Sequence, residues 1–269
     1  MSTAAAPRLD GRIILLTGAT GGLGQAAAKA MARAGATVVL SGRNMRVLNR
    51  LYDVLKDIGP EPLLYPMDLE GAAPDDHLEL AQRIQDAFGR LDGLLHCAAE
   101  FRALTPLEYT DPAHVARAMH INVTAPMWLT AALMPVLKAS ADAAVLWVVD
   151  DAEHAGKPFW GPYAISQQAR AALVAQWAAE MAGSSVRICG LQPGPMRTPL
   201  RGRATVEDVD PNLRNPESYA ADCVRLLSAQ GAAWNGRIDR VMAEHDLPTE
   251  PLPAAVKAKP AAIGLPTLD

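Results

Sequence analysis

A glycine-rich stretch near the N-terminus constrains the fold of this chain more than any other feature. The stretch, Thr17-Gly18-Ala19-Thr20-Gly21-Gly22-Leu23-Gly24, follows an apolar run and opens an alanine-rich segment that ends at Gly35. This order predicts a strand, a glycine turn and a helix. Because glycine has no side chain, a pyrophosphate can approach the backbone closely, and a helix N-terminus offers unpaired N–H groups. The stretch therefore predicts a dinucleotide site; a tight turn used only for packing is the alternative.

Length, charge and cysteine content narrow the classes of protein to which the chain can belong. Its 269 residues fit one α/β domain of the larger kind, half of them are hydrophobic, and the formal net charge of −4 gives no basic surface for nucleic acid. The three widely spaced cysteines indicate reduced, intracellular thiols. No apolar run reaches membrane-spanning length, and residues 1–10 lack the apolar core of a signal peptide. We expect a cytoplasmic protein with a small-molecule substrate and no nucleic-acid or membrane partner.

Strands and helices alternate along the sequence, which predicts a mainly parallel sheet with helices on both faces. The predicted fold is a doubly wound, Rossmann-type α/β domain with strand order 3-2-1-4-5-6. Pro66 in the third strand agrees with the outer position of that strand in this order. The predicted strands span residues 12–17, 37–41, 63–67, 91–98, 143–149, 186–191 and 237–242.

Helix-starting and helix-breaking residues predict the crossovers between the strands. Asn44 is expected to cap the second helix, Pro74 to begin the third, and Pro126 to break the long helix that starts after Asp111. Later helices are predicted at 161–182 and 216–227. No linker interrupts the pattern, so we expect one domain over residues 1–247 and a proline- and alanine-rich tail at 248–269.

The end of the second predicted strand indicates which dinucleotide is bound. In dinucleotide-binding folds an acidic residue there binds the free 2′-hydroxyl of NAD, whereas an arginine accommodates the 2′-phosphate of NADP. The segment reads Leu40-Ser41-Gly42-Arg43-Asn44, with an arginine and no carboxylate. Because a guanidinium can pair with phosphate through two hydrogen bonds, we expect NADP(H) to be favoured over NAD(H). An ordinary surface arginine is the alternative.

Several motifs, in the right order, give the chain its resemblance to a known family. The spacing of Gly18, Gly22 and Gly24 resembles that of the short-chain dehydrogenase/reductase family, over residues 10 to about 243. The resemblance implies a nicotinamide cofactor, carbonyl or alcohol substrates, and a homodimer or homotetramer that packs through the helix after Pro162. The further matches are Asp68-Leu69, Ile121-Asn122-Val123-Thr124, Tyr163-Ala164-Ile165-Ser166 and Pro193-Gly194-Pro195-Met196-Arg197-Thr198.

The resemblance also implies roles for individual residues. Tyr163 matches the catalytic tyrosine, Asn122 the helix asparagine that supports it, and the loop that ends at Thr198 the one that holds the nicotinamide carboxamide. No metal is implied. The residues expected to bind the cofactor are Gly18, Thr20, Gly22, Leu23, Gly24, Arg43, Asp68, Leu69, Ala98, Tyr163, Gln167, Pro193, Gly194 and Thr198.

The chain departs from the family pattern at the expected catalytic centre. The family motif is Tyr-x-x-x-Lys, but the fourth residue after Tyr163 is Gln167. The family serine about thirteen residues before the tyrosine is replaced by Asp150, and the family Asn-Asn-Ala-Gly reads His96-Cys97-Ala98-Ala99. The expected catalytic group is therefore Asn122, Asp150, Tyr163 and Gln167.

These replacements predict a direction for the reaction. A lysine one helical turn after Tyr163 would lower the tyrosine pKa, whereas Gln167 is neutral and an ionised Asp150 would raise it. Alcohol oxidation needs the tyrosinate as a base, while carbonyl reduction needs the neutral phenol as an acid. We therefore expect carbonyl reduction to be less impaired than alcohol oxidation. The amide of Gln167 could still hydrogen-bond a cofactor ribose.

Three assignments stay open at this stage. Asn122 either takes part in a proton relay or repairs the helix bent by Pro126. Asp150 is either a replacement acid or substrate ligand, or a residue in a site no longer used. Asp150, Asp151, Glu153 and His154 form a solvated acidic loop in preference to a metal site, because no fixed ligand spacing is present.

The remaining expectations concern the thiol next to the site, the loop over it and the function. Cys97 is expected to pack and not to react. The charged segment 195–216 is expected to cover the pocket, with Arg197, Arg201, Arg203 and Arg214 as solvated residues or anion ligands. The favoured function is an NADP-dependent oxidoreductase, and the alternative is a nucleotide-binding or oligomerisation module without catalysis.

Overall fold

The computed structural model describes residues 6–150, 156–205 and 213–241. In that part of the chain seven parallel strands form one sheet in the order β3-β2-β1-β4-β5-β6-β7. This confirms the predicted doubly wound α/β fold and its strand order. The strands are β1 Ile13–Thr17, β2 Thr37–Gly42, β3 Leu63–Pro66, β4 Gly93–His96, β5 Ala143–Val148, β6 Val186–Pro193 and β7 Ile238–Val241.

Helices cover both faces of the sheet, because the strands carry apolar side chains on both faces. Ile14 and Leu16 face the core on one side of the sheet, while Ile13 and Leu15 face the core on the other side. Burial on both faces is typical of parallel sheets. The α-helices of the described residues are α1 Gly22–Arg33, α2 Met45–Lys56, α3 Pro74–Phe88, α4 Pro112–Met119, α5 Ala125–Lys138, α6 Gly161–Glu180, α7 Pro199–Ala204 and α8 Ala220–Leu227.

The local signals for turns and edges agree with the structure. Pro66 lies in the edge strand β3, the side chain of Asn44 accepts the backbone N–H of Val47, and α3 begins at Pro74. Several boundaries need correction: β4 spans Gly93–His96 and not 91–98, β6 continues to Pro193 and not to residue 191, and α6 ends at Glu180 and not at residue 182. The helix predicted from Pro216 begins as a 3-10 turn before α8. The short helix α7 was not predicted.

The predicted break in the long helix after Asp111 is confirmed. Between α4 and α5 the chain makes a five-residue π turn, His120–Thr124, in which the N–H of Ala125 donates to the carbonyl of His120. Pro126 has no N–H to donate to the carbonyl of residue 122, so the regular ladder cannot continue there. This turn places Asn122 at the inner side of the bend.

The sheet order creates a crevice at the carboxyl end of β1 and β4. These strands are neighbours, but the helices that follow them, α1 and α5, pack on opposite faces. Such a switch point is where ligands bind in open α/β sheets. The predicted tail, residues 248–269, and residues 151–155 and 206–212 lie outside the described residues.

Candidate active site

One cavity of about 640 Å³ opens at the carboxyl end of the sheet. It is bounded by the glycine turn after β1, by the ends of β2, β4 and β5, and by the loop from β6 to α7. Every residue predicted to bind the cofactor lines this cavity, as do Asp150, Tyr163 and Gln167. The structure therefore brings together residues from all parts of the sequence, apart from Asn122, which does not line the cavity.

The glycine turn is closely packed against the loop after β4. Gly18 has φ +70°, and a Cβ atom at this position would lie 2.5 Å from the backbone nitrogen of Ala98. A Cβ on Gly24 would lie 2.2 Å from the carbonyl oxygen of Gly18. Glycine is therefore required here for packing, which was the alternative interpretation, and the same turn also forms a wall of the cavity. The two roles are compatible.

The loop after β6 reaches the glycine turn from the opposite side. A Cβ on Gly22 would lie 2.8 Å from the methyl group of Thr198. The Thr198 hydroxyl accepts the N–H of Arg201, 3.2 Å away, and so caps α7. Tyr219 fixes the loop by donating to the carbonyl of Pro195 over 3.2 Å. Within the described ranges the hydroxyl of Thr198 donates to no group, so its proton is available to a ligand.

At one end of the cavity, Arg43 follows β2 and faces Asp68. The Nη1 atom of Arg43 lies 3.8 Å from Oδ1 of Asp68, and both side chains are at least half exposed. An exposed pair of this kind contributes little to stability, because water screens it. The guanidinium can therefore exchange the carboxylate for an anionic ligand without a large cost in folding.

At the other end, Tyr163 donates a hydrogen bond to Asp150. The phenol oxygen lies 3.0 Å from Oδ2 of Asp150, and the ring is packed edge-on against Phe101. The backbone N–H of Asp150 donates to Oε1 of Gln167 over 3.2 Å. Tyr163 and Gln167 are almost completely buried. The end of β5 and the first turns of α6 thus form one hydrogen-bonded unit.

The side-chain amide of Gln167 has one unsatisfied hydrogen-bond donor among the described residues. Its Nε2 atom is buried and has no hydrogen-bond partner among the described residues. An unmet amide donor in a buried position costs roughly 1–3 kcal/mol. Because the side chain lines the cavity, a bound ligand with an acceptor oxygen would satisfy it.

Asn122 is fully buried and acts between backbone segments. Its Oδ1 accepts the N–H of Glu100 at 2.6 Å, and its Nδ2 donates to the Glu100 carbonyl and to Oγ of Ser166, both at 2.9 Å. Ser166 in turn donates to the carbonyl of Tyr163 over 2.7 Å. The Asn122 side chain therefore ties the loop after β4 to α6 and positions Tyr163.

Sequence reasoning missed Arg170, a buried cation in the wall of the cavity. Its side chain is 1% exposed, Nη1 donates to the carbonyl of Ala98 at 2.8 Å, and Nη2 donates to the carbonyl of His96 at 2.9 Å. The guanidinium also lies over the ring of Trp147, 5.6 Å from its centre. Burial lowers the pKa of Arg170 to about 10, so it stays charged at neutral pH. Arg170 follows Tyr163 by seven residues and lies on the same face of the helix as Gln167, and this spacing could have indicated from the sequence that it belongs to the site.

His96, the last residue of β4, is buried against Thr130 and Trp147. Its Nε2 lies 2.8 Å from the hydroxyl of Thr130, and that hydroxyl donates to the carbonyl of Pro126, so Nε2 carries the ring proton. Its ring packs 4.2 Å from the ring of Trp147. Burial first, and then the charge of Arg170, lower the His96 pKa well below its ordinary value. The imidazole is therefore neutral.

The structure also places the remaining candidates. Burial raises the pKa of Cys97 to about 12, which agrees with packing and not reactivity. Arg201 and Arg203 line the cavity from α7, whereas Arg197 pairs its backbone with Arg214 away from it. Asp151, Glu153 and His154 lie outside the described residues. Within those residues, no group of three acidic, histidine or cysteine side chains could hold a metal, and no helix is long and apolar enough to cross a membrane.

Comparisons with known proteins agree with this architecture. A family profile described as short chain dehydrogenase matches residues 12–208, which include the glycine turn and Tyr163. The Escherichia coli K12 protein named as the uncharacterized oxidoreductase YciK is 34% identical over 209 residues, 77% of this chain and 82% of that protein.

Solved structures give the same result. A short chain dehydrogenase from Pseudomonas syringae is 37% identical, with a TM-score of 0.82 over 88% of this chain and 98% of that one. One from Escherichia coli CFT073, complexed with NADPH, is 31% identical, with a TM-score of 0.83 over 88% of this chain and 99% of that one. With the profile covering most of its length, this chain belongs to the short-chain dehydrogenase family and is an oxidoreductase of that type.

Proposed function

We propose that this protein reduces a carbonyl compound with NADPH and that Tyr163 donates the proton. The observation that carries the proposal is the hydrogen bond from Tyr163 to Asp150, inside the cavity that the glycine turn bounds. It supports the presence of a neutral phenol, since the phenol oxygen acts as the donor. A neutral phenol is the form that can give a proton to a carbonyl oxygen.

The residues of the cavity fit a nicotinamide dinucleotide. The glycine turn at the N-terminus of α1 would hold the pyrophosphate, and Arg43 the 2′-phosphate of NADP. Gln167 brings an unmet buried donor for a ribose hydroxyl, and Thr198 a hydroxyl proton for the carboxamide. The likeness to a structure that contains NADPH supports the same choice. We therefore propose NADP(H) over NAD(H).

Reduction of a carbonyl needs one hydride and one proton, and Tyr163 can supply the proton. When bound, NADPH would be the source of the hydride that the carbonyl carbon needs. Tyr163 gives its proton to the carbonyl oxygen, so that the carbonyl becomes an alcohol and the phenol becomes a phenolate. Asp150 contacts the phenol and is only partly buried, so it can return a proton from water to Tyr163.

The charges around Tyr163 support reduction as the working direction. A carboxylate at hydrogen-bond distance disfavours loss of the phenol proton in the resting state, and Gln167 adds no positive charge. Alcohol oxidation must start from the phenolate, whereas reduction starts from the phenol. Asn122 would contribute by positioning Tyr163 through Ser166.

We also propose that residues 1–247 form one domain.

We propose in addition that the protein is a homodimer or homotetramer. Ile165 on α6 is 51% exposed, and burial of such apolar side chains favours association. Sedimentation velocity of the wild type and Ile165→Glu tests this directly. The proposal requires a shift of the variant towards monomer, and a monomeric wild type contradicts it.

The first test of the function is cofactor binding followed by turnover. Calorimetric titration should give tighter binding of NADPH than of NADH, and a panel of aldehydes and ketones should then reveal carbonyl-dependent loss of NADPH absorbance. Binding without turnover on any carbonyl would contradict the proposed reaction and favour a nucleotide-binding module. Binding of neither cofactor would contradict the proposed site as well.

A further inference from the structure

The helix that carries Tyr163 also carries a buried positive charge two turns further on. We propose that Arg170 is the cation that stabilises the phenolate of Tyr163 during proton transfer, while the residue one turn after the tyrosine, Gln167, is neutral. The inference rests on the proposed function. It makes Arg170 a positioning and electrostatic residue that acts through Tyr163, and not a ligand of the substrate.

The helix geometry places the three residues in one row. Tyr163, Gln167 and Arg170 are four and three residues apart, so they lie on one face of α6. Side chains on a helix lean towards its N-terminus, so the long side chain of Arg170 extends back towards Tyr163. All three are buried and all three line the same cavity.

The charge of Arg170 is not cancelled by its partners. Its two terminal nitrogens donate to backbone carbonyls of His96 and Ala98, and its Nε has no hydrogen-bond partner in the described part of the chain. No carboxylate pairs with it among the described residues, and the ring of Trp147 is neutral. A guanidinium bonded only to neutral groups keeps a full positive charge, and low dielectric surroundings extend its reach.

The groups that surround Arg170 and Tyr163 do not neutralise the guanidinium, so its charge can act on Tyr163. His96 and Cys97, both from the end of β4, are neutral, because burial lowers the pKa of the imidazole and raises that of the thiol. Burial lowers the pKa of Arg170, whereas the negative charge of an ionised Tyr163 raises it, so the guanidinium and the phenolate attract each other. The charged groups that share the cavity wall are Asp150, Glu100, Lys157, Arg201 and Arg203, together with Arg43 and Asp68 at the far end.

Asp150 and Arg170 then have opposite effects on the same phenol. The carboxylate accepts the phenol proton in a hydrogen bond and opposes its loss, while the guanidinium attracts the phenolate that remains after the proton has left. The site would keep its proton at rest and still stabilise the charge that develops in the reaction. Such stabilisation of developing charge by a fixed, buried group is an effective form of catalysis.

The test measures ionisation of Tyr163 and needs no turnover. Ultraviolet absorbance of phenolate is followed against pH, and the curve of Tyr163→Phe is subtracted to isolate this tyrosine. Arg170→Gln keeps an amide donor but removes the charge; it is made in the Asp150→Asn background, where the phenol should ionise below the pH at which Arg170 loses its own charge, and it should raise the pH midpoint by about one unit. Arg170→Lys in the same background should stay near Asp150→Asn. Gln167→Lys in the Arg170→Gln background should bring the midpoint back.

A folding check on Arg170→Gln and a second variant, Asp150→Asn, ensure that the titration can confirm or overturn the role of Arg170. If Arg170→Gln does not fold, as judged by circular dichroism and NADPH binding, Asp150→Asn replaces it: with Arg170 unopposed, the midpoint should fall below the ordinary value of about 10. A midpoint at or above that value overturns the inference, as does an unchanged midpoint in Arg170→Gln. Absence of carbonyl reduction in a wild type that shows these shifts would instead contradict the proposed function alone.

Discussion

The phenol of Tyr163 donates its proton in a 3.0 Å hydrogen bond to Asp150, the residue that we propose replaces a serine of the family pattern. A serine hydroxyl is neutral, whereas a carboxylate adds a negative charge at the reacting group. The same carboxylate belongs to the residue whose backbone N–H holds Gln167. Asp150 thus adds the charge next to the phenol of Tyr163 and also orients the side chain of Gln167.

Removing this charge should make alcohol oxidation easier. Asp150→Asn keeps an acceptor oxygen for Tyr163 but removes the charge that opposes the phenolate. The ascending limb of the pH–rate profile for alcohol oxidation should move to lower pH by about one unit, because the phenolate forms more readily. The check is the rate of NADP-dependent oxidation against pH, with the exposed Asp53→Asn as the control. A profile that does not move contradicts the role given to Asp150.

Loss of the free donor of Gln167 should weaken cofactor binding. Gln167→Leu removes Nε2, which has no protein partner among the described residues and lines the cavity. One hydrogen bond contributes about 1 kcal/mol, so the dissociation constant for NADPH should rise about five- to tenfold. Calorimetry measures it. Gln168→Leu, on the exposed side of α6, should bind NADPH like the wild type, and equal affinity in both variants would argue against a contact with Gln167.

Arg43 should distinguish the two dinucleotides. Arg43→Ala removes the guanidinium proposed to bind the 2′-phosphate, so NADPH should bind at least about tenfold more weakly while NADH changes little. The exposed Arg46→Ala, three residues on in α2, is the matched control. Equal loss for both cofactors would mean that Arg43 acts on the fold or the adenosine and does not select the phosphate.

Buried His96 should make the fold sensitive to acid. Burial and the charge of Arg170 lower its pKa, so the folded protein holds it neutral while the unfolded chain protonates it below about 6.5. The unfolded state then binds more protons, and the free energy of unfolding falls by at most about 1.4 kcal/mol per pH unit below that value. His77, whose pKa burial also lowers, acts in the same direction.

Urea unfolding at several pH values tests this dependence. His96→Phe keeps a ring against Trp147 and leaves Thr130 its own partner, the carbonyl of Pro126. The variant should therefore lose part of the acid sensitivity and retain the fold. A slope between neutral and mildly acidic pH equal to that of the wild type would show that His96 is not one of the groups responsible.

Much of the fold could be predicted because its signals are local. Alternating strands and helices predicted the sheet order, Pro66 the edge strand, and the glycine turn the wall of the cavity. The residues that the family motifs predict to bind the cofactor all line one cavity. These features depend on runs of neighbouring residues, which a sequence displays directly.

The inner support of the site could not be predicted, since it depends on contacts between distant segments. An arginine in an alanine-rich helix usually faces water, but Arg170 is buried, with its guanidinium bonded to the carbonyl of His96 and lying over the ring of Trp147. The contact of Asn122 with Glu100 and Ser166 likewise joins three separate segments. Such partners follow from tertiary packing and leave no pattern in one stretch of sequence.

The most direct test of the account is the rate of carbonyl-dependent NADPH oxidation by the wild type and by Tyr163→Phe, with NADPH binding measured on both. Phenylalanine keeps the ring against Phe101 and removes only the proton donor. We predict unchanged NADPH binding and a rate roughly 10²- to 10⁴-fold lower in the variant. Equal rates would contradict the assignment of Tyr163 as the acid and, with it, the roles proposed for Asp150 and Arg170.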